Sequence, residues 1–205
     1  EVLEAGGNAF DAAVAVAAAL AVVGPSSSGL GGGGFFLIRR ASDGLEMMID
    51  LREMAPGASS RDMYLDKDGN PVPGLSRDSA LAAGIPGEPA GFAHLAKKYG
   101  KLPLSVSLAP AIKLAREGFP LYPRLRGGMQ FKKAAFLKTP DAARVFLVNG
   151  EVPELGTIIR QPELAASLEV LAKSGADGFY KGAFARKLVD GVKSLGGNWT
   201  EADLA

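Results

Sequence analysis

The chain has 205 residues, 47% hydrophobic and 22% charged, with 23 basic and 22 acidic side chains and a net charge of +1. That hydrophobic share supports a sizeable core, and the mixed, balanced charges leave no basic stripe for nucleic acid or a membrane surface. Cysteine is absent, which excludes disulfides and thiolate chemistry, and the single histidine, His94, leaves no set for a His-based metal site or a Ser-His-Asp triad.

Residues 1–6 read as the tail of a helix already under way, and residues 200–205 as a capped turn just starting. With no initiator Met and no signal peptide at its start, the sequence reads as part of a longer protein. Asn8 is a good N-cap with Asp11 three residues on, a capping-box pattern that also suits the helix dipole. The helix it opens is expected to run to Val23 and to end at Gly24-Pro25. Its interior, residues 12–23, is apolar nearly all round but shorter than the roughly 20 residues of a membrane span, so a buried helix is expected.

A serine- and glycine-rich loop follows, Ser26 to Gly34, and leads into Phe35-Phe36-Leu37-Ile38-Arg39. A phosphate-cradling loop should open a helix and offer Lys-Ser/Thr, and this one does neither. Tight backbone packing in an interior turn is the expectation, with backbone N–H groups offered to a site as the alternative.

Residues 35–39 and 45–52, joined by Ala41-Ser42-Asp43-Gly44, read as a hairpin with Asp-Gly turn chemistry. In the second strand Leu45, Met47, Ile49 and Leu51 alternate with Glu46, Met48, Asp50 and Arg52, the period of a half-buried strand. Asp50 and Arg52 therefore share the outer face, and Pro56 stops the ladder because it has no N–H. A guanidinium fork presented from a rigid strand suits a substrate carboxylate. On these residues alone a structural ion pair of Arg52 with Asp50 or Glu53 is the preferred reading.

Residues 61–80 are polar and rich in Asp, Gly and Pro, and a surface loop is expected there. Gly84-Ile85-Pro86-Gly87 marks a tight entry to a helix over 88–99, with Phe92, Leu95 and Tyr99 on one face and His94 off it, solvated. Further helices are expected over 107–117, over 162–173 with Leu164, Leu168 and Leu171 on one face, and over 179–195. In the last, Phe184, Leu188, Val192 and Leu195 are expected to point inward and Gly196-Gly197 to end it. The basic clusters Arg124-Leu125-Arg126 and Lys132-Lys133 read as solvated faces. Helices around a strand hairpin fit a layered α/β domain.

Taken together and in order, several motifs resemble the gamma-glutamyltranspeptidase family of bacterial type, over essentially the whole chain. They are Gly6-Gly7-Asn8-Ala9-Phe10-Asp11-Ala12-Ala13-Val14-Ala15, Gly29-Leu30-Gly31-Gly32-Gly33-Gly34-Phe35 and Asp50-Leu51-Arg52-Glu53-Met54-Ala55-Pro56. Gly84-Ile85-Pro86-Gly87, Gly91-Phe92, Pro110-Ala111 and Phe179-Tyr180-Lys181-Gly182 continue the series. The resemblance implies an N-terminal nucleophile hydrolase fold, a four-layer αββα sandwich, of which residues 1–205 would be a single domain, an incomplete large-subunit portion. It implies a precursor that cleaves itself, and a small subunit whose new N-terminal threonine attacks the γ-glutamyl carbonyl of substrates such as glutathione. Water or an acceptor amino acid or peptide then resolves the γ-glutamyl-enzyme.

In the Asp-x-Arg-Glu-x-Ala-Pro motif the resemblance assigns Arg52 to the α-carboxylate of the γ-glutamyl group. No catalytic residue is expected in this chain: Thr139, Thr157 and Thr200 are followed by Pro140, Ile158 and Glu201, unlike the family's cleavage site. The family's oxyanion donors and amine-holding groups belong to the small subunit, and no cofactor or metal is called for. A periplasmic or secreted location and the absence of a membrane span are further expectations of the resemblance. Glu88-Pro89 departs from the small and β-branched pair usual after the Pro-Gly turn. A glutaryl or cephalosporin-type acylase of the same superfamily would reuse Arg52, and a noncatalytic anion-binding α/β module is the reading from another class.

Overall fold

Helix α1 (Ala9–Val23) starts where Asn8 holds an extended backbone and its side-chain oxygen accepts from the N–H groups of Phe10 and Asp11. Asp11 answers by accepting from the Asn8 N–H at 2.8 Å, which closes the capping box expected from the sequence. The computed structural model describes all residues, 1–205, and they gather into two units. One contains residues 1–29 and 95–172, the other residues 30–94 and 173–205. The elements are helix and strand mixed, as expected for the class, but neither sheet has more than two strands.

In the first unit α1 packs against α4 (Leu104–Glu117), burying Val14, Ala18 and Val22 on one and Leu108, Ala111 and Ala115 on the other. The small residues on both helices let them approach closely, which suits the nearly all-apolar sequence of α1. Asp11 is completely buried yet fully used: besides Asn8 it accepts from the backbone N–H groups of Lys101 (2.9 Å) and Leu102 (3.3 Å). The Asn8 amide in turn donates to the Tyr99 carbonyl at 2.7 Å. One N-cap and one carboxylate thus tie the start of α1 to a segment 90 residues away.

Helix α4 begins three residues before the expected Ser107. Pro103, at φ −56 and ψ 143, occupies its N-cap and feeds the chain into the helix at Leu104. Pro110 consequently lies inside the helix, where it removes a backbone donor. Gly118, at φ +91, ends it.

A short antiparallel pair of β3 (Phe119–Pro120) and β4 (Ile158–Ile159) follows, with Phe119 opposite Ile159. Between these strands lie α5 (Pro123–Leu137) and α6 (Pro140–Phe146), which the sequence reading missed. Gly127-Gly128 and the polar composition mask α5, although each helix carries proline at its first position, a start signal. The two helices meet through the stacked rings of Phe136 and Phe146, 5.3 Å apart. The basic clusters on α5 are not simply solvated: Arg126 donates to the Pro153 carbonyl and pairs with Glu154, and Lys133 pairs with Glu151.

The second unit is built on the hairpin β1 (Phe35–Arg40) and β2 (Leu45–Asp50), with Leu37 opposite Met48 and Arg40 opposite Leu45. Asp43 locks the turn by accepting twice from Arg40 and once from the Leu45 N–H. The Arg40 guanidinium holds its carboxyl low, at about 2. Residues 61–80, expected as loop, contain a short helix, α2 (Leu75–Asp78), and a turn in which Asp66 accepts from the N–H groups of Asp68 and Asn70.

Helix α3 occupies Glu88–Tyr99, and Phe92, Leu95 and Tyr99 are buried as the spacing predicts. Helix α7 (Pro162–Tyr180) extends past the expected Lys173 as a second helical piece, with a break at Gly175 (φ 61, ψ −157) that only glycine readily adopts. Leu168 and Leu171 are fully buried, as its apolar face predicts.

The last predicted helix is corrected at both ends. Lys181 is extended (φ −128, ψ 161), so Phe179 and Tyr180 close α7 and α8 runs Gly182–Ser194. Ala185 and Val189 form its buried line, Phe184, Leu188 and Val192 flank it half-buried, and Leu195 lies outside the helix and is exposed. Trp199 packs with Ile85, Ala185, Val189 and Leu204, and its indole N–H donates to the Ala83 carbonyl at 2.9 Å.

Candidate functional site

Arg52 sits where its strand changes partners. Up to Leu51 the backbone pairs with the strand before it, through Leu51 N–H to the Gly34 carbonyl (3.0 Å) and Gly34 N–H to the Leu51 carbonyl (3.2 Å). From Met54 it pairs instead with Ile85, through Met54 N–H to Ile85 carbonyl (3.2 Å) and Ile85 N–H to Met54 carbonyl (2.8 Å). Between those two anchors Arg52 donates its own N–H to Asp50 Oδ1 at 2.9 Å. The alternation expected from the sequence holds, with Leu51 buried and Asp50 and Arg52 exposed on the same side.

Glycines allow this crossing. A Cβ on Gly33 would lie 2.0 Å from the Leu51 carbonyl oxygen, one on Gly87 would lie 2.2 Å from the same oxygen, and one on Gly91 would lie 2.7 Å from Leu51 Cδ1. Within the glycine loop the expected close backbone packing holds at Gly33, whereas Gly29, Gly31 and Gly34 face open space. The loop adds one acceptor, the Gly32 carbonyl, which takes the N–H groups of both Gly87 and Glu88 at 3.0 Å.

The Arg52 side chain is 61% exposed, and its Nε lies 3.3 Å from Glu53 Oε2. That oxygen is buried and takes no hydrogen bond, so the pair is electrostatic without the alignment of a hydrogen bond. Asp50 meets the arginine's backbone, not its guanidinium. Arg52 lines a cavity of about 610 Å³ together with Ile49, Pro86, His94, Tyr180 and Leu204, and also a second cavity of about 500 Å³ with Glu53, Tyr64 and Gly84. His94 is exposed, as expected, at the rim of the larger one.

Two groups near Arg52, Glu88 and Tyr180, stand in motifs noted in the sequence, but nothing local assigned either of them to the site. Glu88, half-buried at the first position of α3, has its carboxyl pushed up to about 7, first by loss of water and then by the charge of Glu53. Tyr180 donates to the Pro86 carbonyl at 2.6 Å and accepts from the Ala90 N–H at 3.3 Å; burial pushes its phenol up to about 12. The Glu88 shift has a signed consequence. Its neutral form is favoured in the folded chain, so the associated stability is full below the ordinary carboxyl value of 4.5 and is lost as pH rises through 7. Glu88→Gln is expected to unfold at a higher temperature than the parent at pH 8, with the gap closing at pH 5, in paired thermal melts.

Of the three threonines, Thr200 donates its hydroxyl to Asp203 Oδ2 at 2.8 Å and caps the final turn. Thr139 occupies the N-cap position of α6 without a side-chain capping hydrogen bond, and the Thr157 carbonyl accepts from Leu121 N–H at 2.8 Å. No group of three or more His, Asp or Glu side chains stands close enough to hold a metal ion, and no helix is long and apolar enough to cross a membrane.

The mixed helix-and-sheet arrangement, with the Arg52 backbone held between two strand partners, is part of the N-terminal nucleophile hydrolase fold, as superposition on solved structures shows. The chain superposes on the gamma-glutamyltranspeptidase of Helicobacter pylori with a TM-score of 0.94 at 42% identity, covering 99% of this chain and 58% of that one. A cephalosporin acylase from Bacillus halodurans superposes with a TM-score of 0.79 at 32% identity, covering 100% of this chain and 38% of that one. In sequence the chain is 44% identical over 206 residues to the glutathione hydrolase proenzyme of Escherichia coli (strain K12), covering 100% of this chain and 35% of that protein. The family model described as gamma-glutamyltranspeptidase matches residues 1–205. The chain belongs to the gamma-glutamyltranspeptidase family. It spans about a third of the length of the curated relative.

Proposed function

We propose that residues 1–205 are a large-subunit portion of an enzyme that hydrolyses glutathione and related γ-glutamyl compounds or transfers their γ-glutamyl group. The observation that carries this is Arg52, fixed in its backbone and exposed in its side chain at the mouth of a cavity, in the motif where the family places its carboxylate clamp. Nε leans on Glu53, and no carboxylate pairs with both Nη groups, so the fork remains available to a substrate carboxylate. The name of the Escherichia coli relative, a glutathione hydrolase proenzyme, supports glutathione as donor and a precursor that is cut.

In this proposal the nucleophile is the N-terminal threonine of a small subunit cut from the same precursor. It attacks the γ-glutamyl carbonyl and expels the donor's amine, and water or an amino-acid or peptide acceptor then takes the γ-glutamyl group. The protein works in the periplasm or outside the cell, without nucleic acid or a cofactor. Amine release from a γ-glutamyl anilide tests the reading. The complete source protein is expected to release amine and the 205-residue chain to release none. Release by the chain alone would overturn it, since Thr200 is tied into a cap and neither Thr139 nor Thr157 begins a chain.

The likeness to a cephalosporin acylase supports a second reading, in which Arg52 receives the terminal carboxylate of a glutaryl group. Glutaryl amides cleaved faster than γ-glutamyl amides by the complete protein would favour it.

A further inference from the structure

We infer that the Tyr180 hydroxyl is a positioning group for Arg52: it holds the turn against which the arginine's backbone rests, and with it the geometry that receives a substrate carboxylate. The inference rests on the proposed role of Arg52. Tyr180 reaches Pro86 across 94 residues of sequence, donating to its carbonyl at 2.6 Å while accepting from Ala90 N–H at 3.3 Å. The first N–H groups of a helix have no partner within it. At the start of α3 the Glu88 N–H goes to the Gly32 carbonyl, Pro89 has none to give, and the Ala90 N–H goes to Tyr180. The tyrosine therefore ends the turn and caps the helix with one oxygen.

That turn has no slack. Ile85 is bonded in both directions to Met54, and Gly87 and Gly91 press on Leu51 closely enough that neither position has room for a methyl group. A displacement of 85–87 therefore passes directly into the backbone at 51–54, the segment that carries Arg52. Tyr180 also lines the larger cavity beside Arg52 without reaching its guanidinium through any hydrogen bond. Its effect on substrate is consequently indirect. Burial keeps the phenol protonated through the working pH range, so it remains a donor to Pro86.

The test uses the complete enzyme and a γ-glutamyl anilide. Tyr180→Phe deletes only the hydroxyl and keeps the ring against Phe179, 5.0 Å away. Loss of the two hydrogen bonds the hydroxyl makes, only part of which reaches the arginine, predicts a KM raised about threefold to tenfold, with kcat within about twofold of the parent. In an Arg52→Ala background the same change is expected to raise KM no further, because its effect passes through the arginine. A KM that stays at the parental value in Tyr180→Phe would overturn the inference. So would an equal rise in both backgrounds, or a fall in kcat and thermal stability with KM unmoved. If Arg52→Ala itself leaves KM unchanged, the proposed function fails at its base; if Arg52→Ala raises KM and Tyr180→Phe does not, only the positioning role is lost.

Discussion

Replacing Arg52 with alanine in the complete enzyme is expected to raise KM for a γ-glutamyl donor well over tenfold, with a smaller change in kcat. The side chain stands at the gap between two backbone pairings, so its Cα is fixed while its guanidinium is more than half exposed. Binding by such a fork is rigid at its base and charged at its tip, which favours bidentate capture of a carboxylate. Each charge-assisted hydrogen bond is worth about 1.5–3 kcal/mol, and a pair of them exceeds the roughly 1.4 kcal/mol that makes a tenfold difference. In the proposed role the fork grips a part of the substrate that does not react, so the loss would fall on binding more than on the chemical step. Arg52→Lys is expected to recover little, because an ammonium is a point charge without the planar fork. Steady-state kinetics on the three proteins measures this, and an unchanged KM in Arg52→Ala would remove the carboxylate clamp from the mechanism.

The largest expected loss of stability comes from Asp11. Its carboxylate is fully buried and accepts from three backbone N–H groups, those of Asn8, Lys101 and Leu102. Alanine there leaves these donors without a partner, at a cost of about 1–3 kcal/mol for each one left buried. Water entering the vacated space offsets part of this, and a net loss of about 3–5 kcal/mol is expected. Asp11→Asn, which keeps acceptor capacity on one oxygen only, is expected to fall between. Denaturant melts of the complete protein would show it, and a loss under about 1 kcal/mol in Asp11→Ala would mean that the three contacts do not hold this segment.

These residues also show how far local pattern reaches. The Asn8 and Asp11 pair is legible because a capping box is written within four residues, and the outward face of Arg52 because strand alternation has a period of two. Helix α3 is legible for the same reason, with Phe92, Leu95 and Tyr99 at helical spacing and all buried. At the end of α7 and the start of α8 a single backbone conformation intervened. Lys181 in an extended conformation divides what reads as one helix over 179–195, and Gly175 at φ 61 lets α7 resume beyond its expected end.

The sequence by itself determined the capped apolar helix, the hairpin that carries Arg52 and, through its ordered motifs, the family. The helix and the hairpin depend on residues close in sequence, where spacing alone fixes which side chains share a face, and the family on the order of short motifs along the chain. Tertiary structure alone decided that Asp11 would serve Lys101 and Leu102, that Glu88 would lose water beside Glu53, and that Tyr180 would hold Pro86. Those outcomes join segments separated by as many as 94 residues. A buried donor or acceptor takes whichever partner the returning chain brings within hydrogen-bonding distance, and no local period records that choice.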